Sequence, residues 1–80
     1  MRATVLVRPK QGILDPQGEA VQGSLQKLGF DVSRVRVGRL VDVEFEAEGP
    51  KHALMQVERM CEELLANPLI ESVQITLEEQ

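Results

Sequence analysis

The sequence has no tryptophan, no tyrosine, two phenylalanines and a single cysteine, Cys61. One cysteine rules out a disulfide framework and fits a reducing compartment. The shortage of aromatics removes the stacking platforms of single-strand readers, and a net charge of −4 removes the basic footprint of nucleic-acid binders. No apolar run approaches the ~20 residues that a bilayer demands. Met1-Arg2 leads straight into an alternating pattern, with no apolar signal segment before it. A cytoplasmic protein that engages neither nucleic acid nor membrane is expected.

Chemistry-bearing motifs are scarce too. The chain contains no C-x-x-C, no H-x-x-x-H, no calcium-type loop and no G-x-x-x-x-G-K-[ST]. His52 and Cys61 fall about half a turn apart on a helix, on opposite faces, so they cannot form a nucleophile–base pair. No catalytic, metal-binding or cofactor-binding residue is expected in this chain.

What is present is one small domain, 1–80, 42% hydrophobic and 28% charged. A chain of this size buries only about 60% of its unfolded surface and holds a net stability of roughly 4–12 kcal/mol. Association with other chains is therefore a physical expectation.

Arg2–Arg8 reads as a strand with Ala3, Val5 and Val7 on one face, ended by Pro9 and Gly12. Asp15-Pro16 opens a helix, the carboxylate as cap and the proline at the first helical position. Val21, Leu25 and Leu28 share one helical face, and Gly29 supplies the stop. Gly18 and Gly23 weaken this helix and point to a close backbone approach.

Val32–Val37 and Val41–Ala47 read as two strands joined at Gly38-Arg39-Leu40. A three-residue turn there sets Val37 against Val41, Val35 against Val43, Arg36 against Asp42 and Arg34 against Glu44. Gly49-Pro50 opens a second helix with Leu54, Val57, Cys61, Leu64 and Leu65 as its apolar stripe, ended by Asn67-Pro68. A last strand from Leu69 or Ile70 to Leu77 precedes the polar tail Glu78-Glu79-Gln80.

The order β-α-β-β-α-β is the split-βαβ, ferredoxin-like pattern. It predicts an α+β fold, a four-stranded antiparallel sheet with both helices on one face and the first and third strands central. The open edges predict a dimer formed through them. Among functions hosted by this strand order, an RNA-recognition motif lacks its aromatics and a metal chaperone lacks its cysteine pair. An acylphosphatase-like site is opposed by the charge of Asp15. A protein-interaction module and an ACT-like domain that binds a small regulatory ligand remain.

Further stretches carry a resemblance. Gly12-Ile13-Leu14-Asp15-Pro16-Gln17-Gly18 followed by Ala20-Val21, Leu28-Gly29-Phe30, Val35-Arg36-Val37-Gly38-Arg39, Met60-Cys61-Glu62, Leu64-Leu65-Ala66-Asn67-Pro68 and Ile70-Glu71 run in order over nearly the whole chain. Together they resemble the PurS family. That resemblance implies the non-catalytic small subunit of phosphoribosylformylglycinamidine synthase, a ligase at the fourth step of purine synthesis. It implies partnership with a glutaminase subunit that releases ammonia and a synthetase subunit that uses ATP and magnesium. It also implies self-association as a dimer or tetramer. The loop Gly12, Ile13, Leu14, Asp15, Pro16, Gln17 and Gly18, with Arg36 and Arg39, is the expected partner contact. The competing reading has Leu14 stapling the helix start with only Gln17 exposed.

Overall fold

The computed structural model describes residues 1–78: Glu78, expected in the polar tail, ends the last strand instead, and the rest of that tail, Glu79 and Gln80, lies outside the described residues. Strand β1 is Arg2–Pro9, helix α1 Pro16–Lys27, strand β2 Arg39–Glu44, helix α2 Pro50–Met60 and strand β3 Glu71–Glu78. A π-helical turn, Cys61–Leu65, continues α2. β1 is central and antiparallel to both neighbours, giving the order β2-β1-β3. Val5 stands opposite Val41 on one side and Ile75 on the other.

The alternation read in the sequence decides which face is covered. Ala3, Val5 and Val7 are fully buried, and α2 packs onto that face through Val57 and Cys61. Val41, Phe45, Leu65, Ile75 and Leu77 close the cluster at its margins.

The four-stranded expectation is overturned. The sheet has three strands, and residues 32–37 form none of them. Gly38 makes no turn, and among the described residues positive φ is confined to Gly12 and Gly29, at 84° and 99°. Gly38 instead runs flat past β1, so close that a Cβ there would strike the Val7 carbonyl oxygen. The expected hairpin pairs are therefore absent. Asp42 accepts a hydrogen bond from the Thr4 hydroxyl at 2.7 Å and lies 3.6 Å from Arg2, while Glu44 is in register with Arg2. The strands that do form occupy the places expected for the first, third and fourth. The outer edge of β2, where the second belonged, lies open within the chain.

Nor do both helices lie on one face of the sheet. Gly18 is the one buried residue of α1. The expected stripe shows Val21 43% and Leu28 74% exposed, with Phe30 exposed beyond it. α1 and residues 30–37 together form an arm standing off the sheet. The chain measures 51 × 27 × 14 Å with a radius of gyration of 15.9 Å. A compact chain of this length has a radius near ~12 Å. The end of α1 follows the sequence closely: Gly29 N donates to Gln26 O at 3.0 Å and Phe30 N to Leu25 O at 3.1 Å, a Schellman closure.

The second helix carries one further correction. Ala53, Val57 and Cys61 are its buried residues, whereas Leu54 and Leu64 are exposed. In an uninterrupted α-helix Leu64, seven residues after Val57, would lie nearly in line with it. The π turn is closed by Ala66 N donating to Cys61 O at 3.1 Å and advances less per residue. Leu65 thereby rotates inward and Leu64 outward, to 84% exposure. Val57→Ala is expected to cost roughly 1.5–3 kcal/mol in chemical denaturation. Leu64→Ala is expected to stay within about 0.5 kcal/mol, so equal losses at the two positions would contradict this phase.

Candidate functional site

All nine candidate contact residues gather at the end of the sheet where β1 finishes and β2 begins. Gly12, with positive φ, turns the chain out of β1. Lys10 anchors the turn, its N–H donating to Ile70 O at 2.9 Å and its ammonium to Pro68 O at 2.8 Å. Asp15 then caps α1: Oδ1 accepts from Gly18 N at 3.0 Å, and Pro16 fills the first helical position.

The second oxygen of Asp15 does something the cap motif alone does not reveal. Oδ2 accepts from Val37 N at 2.7 Å, tying the start of α1 to the chain just before β2. Gly18 lets these two segments approach, since a Cβ there would run into the Val35 carbonyl oxygen and the Asp15 carboxylate. The hydrogen bond from Val37, then that from Gly18, hold the Asp15 carboxyl below its usual value, with the Arg36 guanidinium adding a smaller pull.

Arg36 is exposed, and the cross-strand partner expected for it, Asp42, is engaged elsewhere. Arg39 is committed to the protein itself. Its guanidinium grips Glu71 with two hydrogen bonds, at 2.7 and 3.1 Å, and donates to Leu65 O at 2.6 Å. Glu71 also accepts from Asn67 N at 2.7 Å. Arg39 thus clamps β2 to the π turn and β3 across the end of β1. Its hydrogen bonds, then that of Asn67, hold the Glu71 carboxyl below its usual value. The carbonyl of Leu65 at a helix end suits a cation, but nothing in the spacing of Arg39 and Glu71 announces the clamp.

Between Arg39 and the loop lies a shallow cleft of about 250 Å³, lined by Ile13, Leu14, Pro16, Gln17 and Ile70 among others. Leu14 is 71% exposed and Gln17 is exposed beside it, so Leu14 does not staple the helix start. Cys61 lies in the core, where burial pushes its thiol up and the nearby Glu58 carboxylate adds to the shift. His52 is exposed, its Nδ1 accepting from Glu48 N at 3.2 Å. Among the described residues no group of three His, Cys, Asp or Glu converges as a metal site, and no helix is long and apolar enough to cross a membrane.

These features define a small α+β protein whose prominent elements are an exposed loop and a projecting apolar arm. The family model for PurS, phosphoribosylformylglycinamidine (FGAM) synthase, matches residues 2–79, and the chain belongs to the PurS family. The PurS subunit of phosphoribosylformylglycinamidine synthase from Methanocaldococcus jannaschii is 38% identical over 78 residues, 96% of this chain and 94% of that one. Its counterpart from Synechocystis is 46% identical over 72 residues, 89% of this chain and 70% of that one. The crystal structure of M. jannaschii PurS, one of the subunits of formylglycinamide ribonucleotide amidotransferase in the purine biosynthetic pathway, matches with a TM-score of 0.86, covering 99% and 96% of the two chains. A chain in the structure of PurLQS from Thermotoga maritima matches at 0.84 with 32% identity, covering 94% and 93%. The resemblance read from the sequence is borne out, and with it membership of a subunit family of this purine-pathway ligase.

Two expectations follow. Gly18→Ala forces a methyl into backbone and should destabilise by about 1–3 kcal/mol, whereas a Cβ at Gly23 meets nothing within 4 Å. Gly23→Ala should therefore gain up to about 1 kcal/mol of helix propensity, read as opposite shifts in thermal melting. Both Asp15 and Glu71 have lowered folded-state pKa values, so their contribution is fully present above the ordinary values of 3.8 and 4.5. That contribution is lost as pH falls through the lower folded values, so melting temperatures should drop below about pH 4. The Asp15→Asn and Glu71→Gln variants should each show a shallower drop, and wild-type slopes in both would contradict the assignment.

Proposed function

We propose that this chain is a non-catalytic subunit that bridges the glutaminase and synthetase subunits of phosphoribosylformylglycinamidine synthase and assists ammonia transfer between them. Residues 1–80 act in this reading as one cytoplasmic PurS-type domain. ATP and magnesium are used by the synthetase partner.

The observation that carries the reading is the exposure of apolar side chains on two separate surfaces. The loop presents Ile13 and Leu14 beside Leu69 and Ile70, and the arm presents Val21, Leu28 and Phe30. Exposed apolar groups gathered this way on an 80-residue chain mark surfaces that another protein covers. The loop, with Arg36 at its flank, is assigned to the larger subunits. Arg39 contributes by holding the cleft wall in place through Glu71. The arm is assigned to self-association, as a dimer that can pair into a tetramer. A short amphipathic helix with its apolar stripe in water gains most from the same stripe on a second copy. This replaces the pairing of sheet edges expected from a four-stranded sheet.

Reconstitution tests the reading. Mixed with its glutaminase and synthetase, the chain should co-elute with both. Glutamine-dependent amidine formation should need it, while turnover with free ammonia should not. Leu14→Asp should abolish co-elution at micromolar concentration with stability changed by less than about 0.5 kcal/mol, because the side chain is already in water. Normal glutamine-dependent turnover without the chain would refute the bridging role.

A further inference from the structure

Acidic residues outnumber basic ones 13 to 9 in this chain, yet one cleft reverses the balance. It measures about 460 Å³ and lies between the end of β1 and the segment that enters β2. Three arginines line it, Arg8, Arg36 and Arg39, and no carboxylate does. Arg39 is taken by Glu71 and Leu65. Arg8 and Arg36 are exposed, and among the described residues neither has a hydrogen-bond acceptor or an ion-pair partner. Asp15, whose carboxylate feels the field of Arg36, gives its hydrogen bonds to Gly18 and Val37.

Strand alternation sets the rest of the cleft. Arg8 follows Leu6 on the face of β1 turned away from Val5 and Val7, and Leu40 stands opposite Leu6. α2 packs on the other face, through Val57 and Cys61. Gly38 leaves room for the stem of Arg8, since a Cβ there would stand 3.3 Å from Arg8 Cγ. Toward β3, Arg8 is in register with Ser72, a neutral neighbour. The first acid along this face of β2, Asp42, pairs in register with Thr4 and is engaged by Thr4 and Arg2.

We propose that this cleft receives an acidic side chain of a larger subunit, gripped by Arg8 and Arg36 beside the apolar Leu6 and Leu40. The proposal rests on the bridging reading above and gives that contact its chemistry. A protein carboxylate suits the cleft better than a free anion. The cleft is open, whereas small ligands are held where most of their surface is enclosed. A partner segment brings apolar neighbours along with its acid, and the exposed Leu40 gives them something to cover. Guanidinium forks match a carboxylate bidentately, and in the free chain water solvates both at no cost to folding.

The complex reconstituted with its glutaminase and synthetase tests this, with the chain titrated at several salt concentrations. Arg8→Gln and Arg36→Gln should each raise the dissociation constant about tenfold or more and flatten its salt dependence. Arg8→Lys and Arg36→Lys should recover only part of that affinity, keeping the charge without the fork. Arg34→Gln removes the same charge from an exposed arginine outside the cleft and should change neither quantity. Both cleft arginines are exposed, so slow amide exchange at Val5 should persist in every variant. Wild-type affinity in both glutamine variants overturns the inference and leaves the bridging reading standing. If inorganic phosphate then shifts the Arg8 and Arg36 side-chain resonances of the isolated chain, the cleft is a free-anion site instead. Equal weakening by Arg34→Gln also overturns it, assigning the effect to a diffuse field. A wild-type chain that binds neither larger subunit overturns the bridging reading and this inference together.

Discussion

Two amides converge on one carboxylate, Gly18 N at 3.0 Å and Val37 N at 2.7 Å from the oxygens of Asp15, and the excursion of chain between β1 and β2 is closed at that point. The closure demands a glycine at position 18, because the returning backbone passes where a side chain would stand. It also sets the approach to β2, since Gly38 and Arg39 follow immediately and must run flat beside Val7. Arg39 then reaches across the end of β1 to Glu71 and Leu65. The entry of β2, the exit of the π turn and the start of β3 are thus fastened at the same end of the sheet as Asp15.

The core is far smaller than the chain. One face of a three-stranded sheet meets one helix, and Ala3, Val5, Val7, Val57 and Cys61 are the buried members of that cluster. A second helix on the same face would have doubled it. Instead α1 projects, exposing the apolar residues that ordinarily stabilise such a helix. A twelve-residue helix is marginal alone in water. Its persistence in the isolated chain therefore leans on the cap, the Schellman closure, the bonds that Asp15, Gln22 and Gln26 make to 32–37, and the half-buried Leu25, Val32 and Val35.

What could be read in the sequence follows a physical divide. Local rules worked where local interactions decide: Asp15-Pro16 at a helix start, Gly29 at its end, the alternation of Ala3, Val5 and Val7. The same rules placed 32–37 in a hairpin, because alternation and matched charge identify an extended segment without saying what it lies beside. Arg36 opposite Asp42 was a plausible ion pair of small worth, and such a pair cannot outweigh the backbone ladder that β2 gains from the central strand β1. The π turn was equally invisible, since Leu64 and Leu65 differ in burial only through one widened hydrogen-bond ring. At the candidate site the long-range bonds that the structure shows were not legible in the spacing. The second bond of Asp15 spans 22 residues, and the clamp of Arg39 on Glu71 spans 32.

This divide also separates what Arg36 and Arg39 can offer a partner. A guanidinium with three protein acceptors would have to give up a bidentate carboxylate and a helix-end carbonyl before binding anything else, leaving Glu71 and Leu65 unsatisfied. Arg39 is therefore poorly suited to be a contact and well suited to hold the cleft in shape. Arg36 lends only a weak field to Asp15 and stands in solvent, so its charge is available at small cost. If one of the two arginines meets another subunit, the energetics favour Arg36, the one whose expected partner within the chain was taken by Thr4 and Arg2.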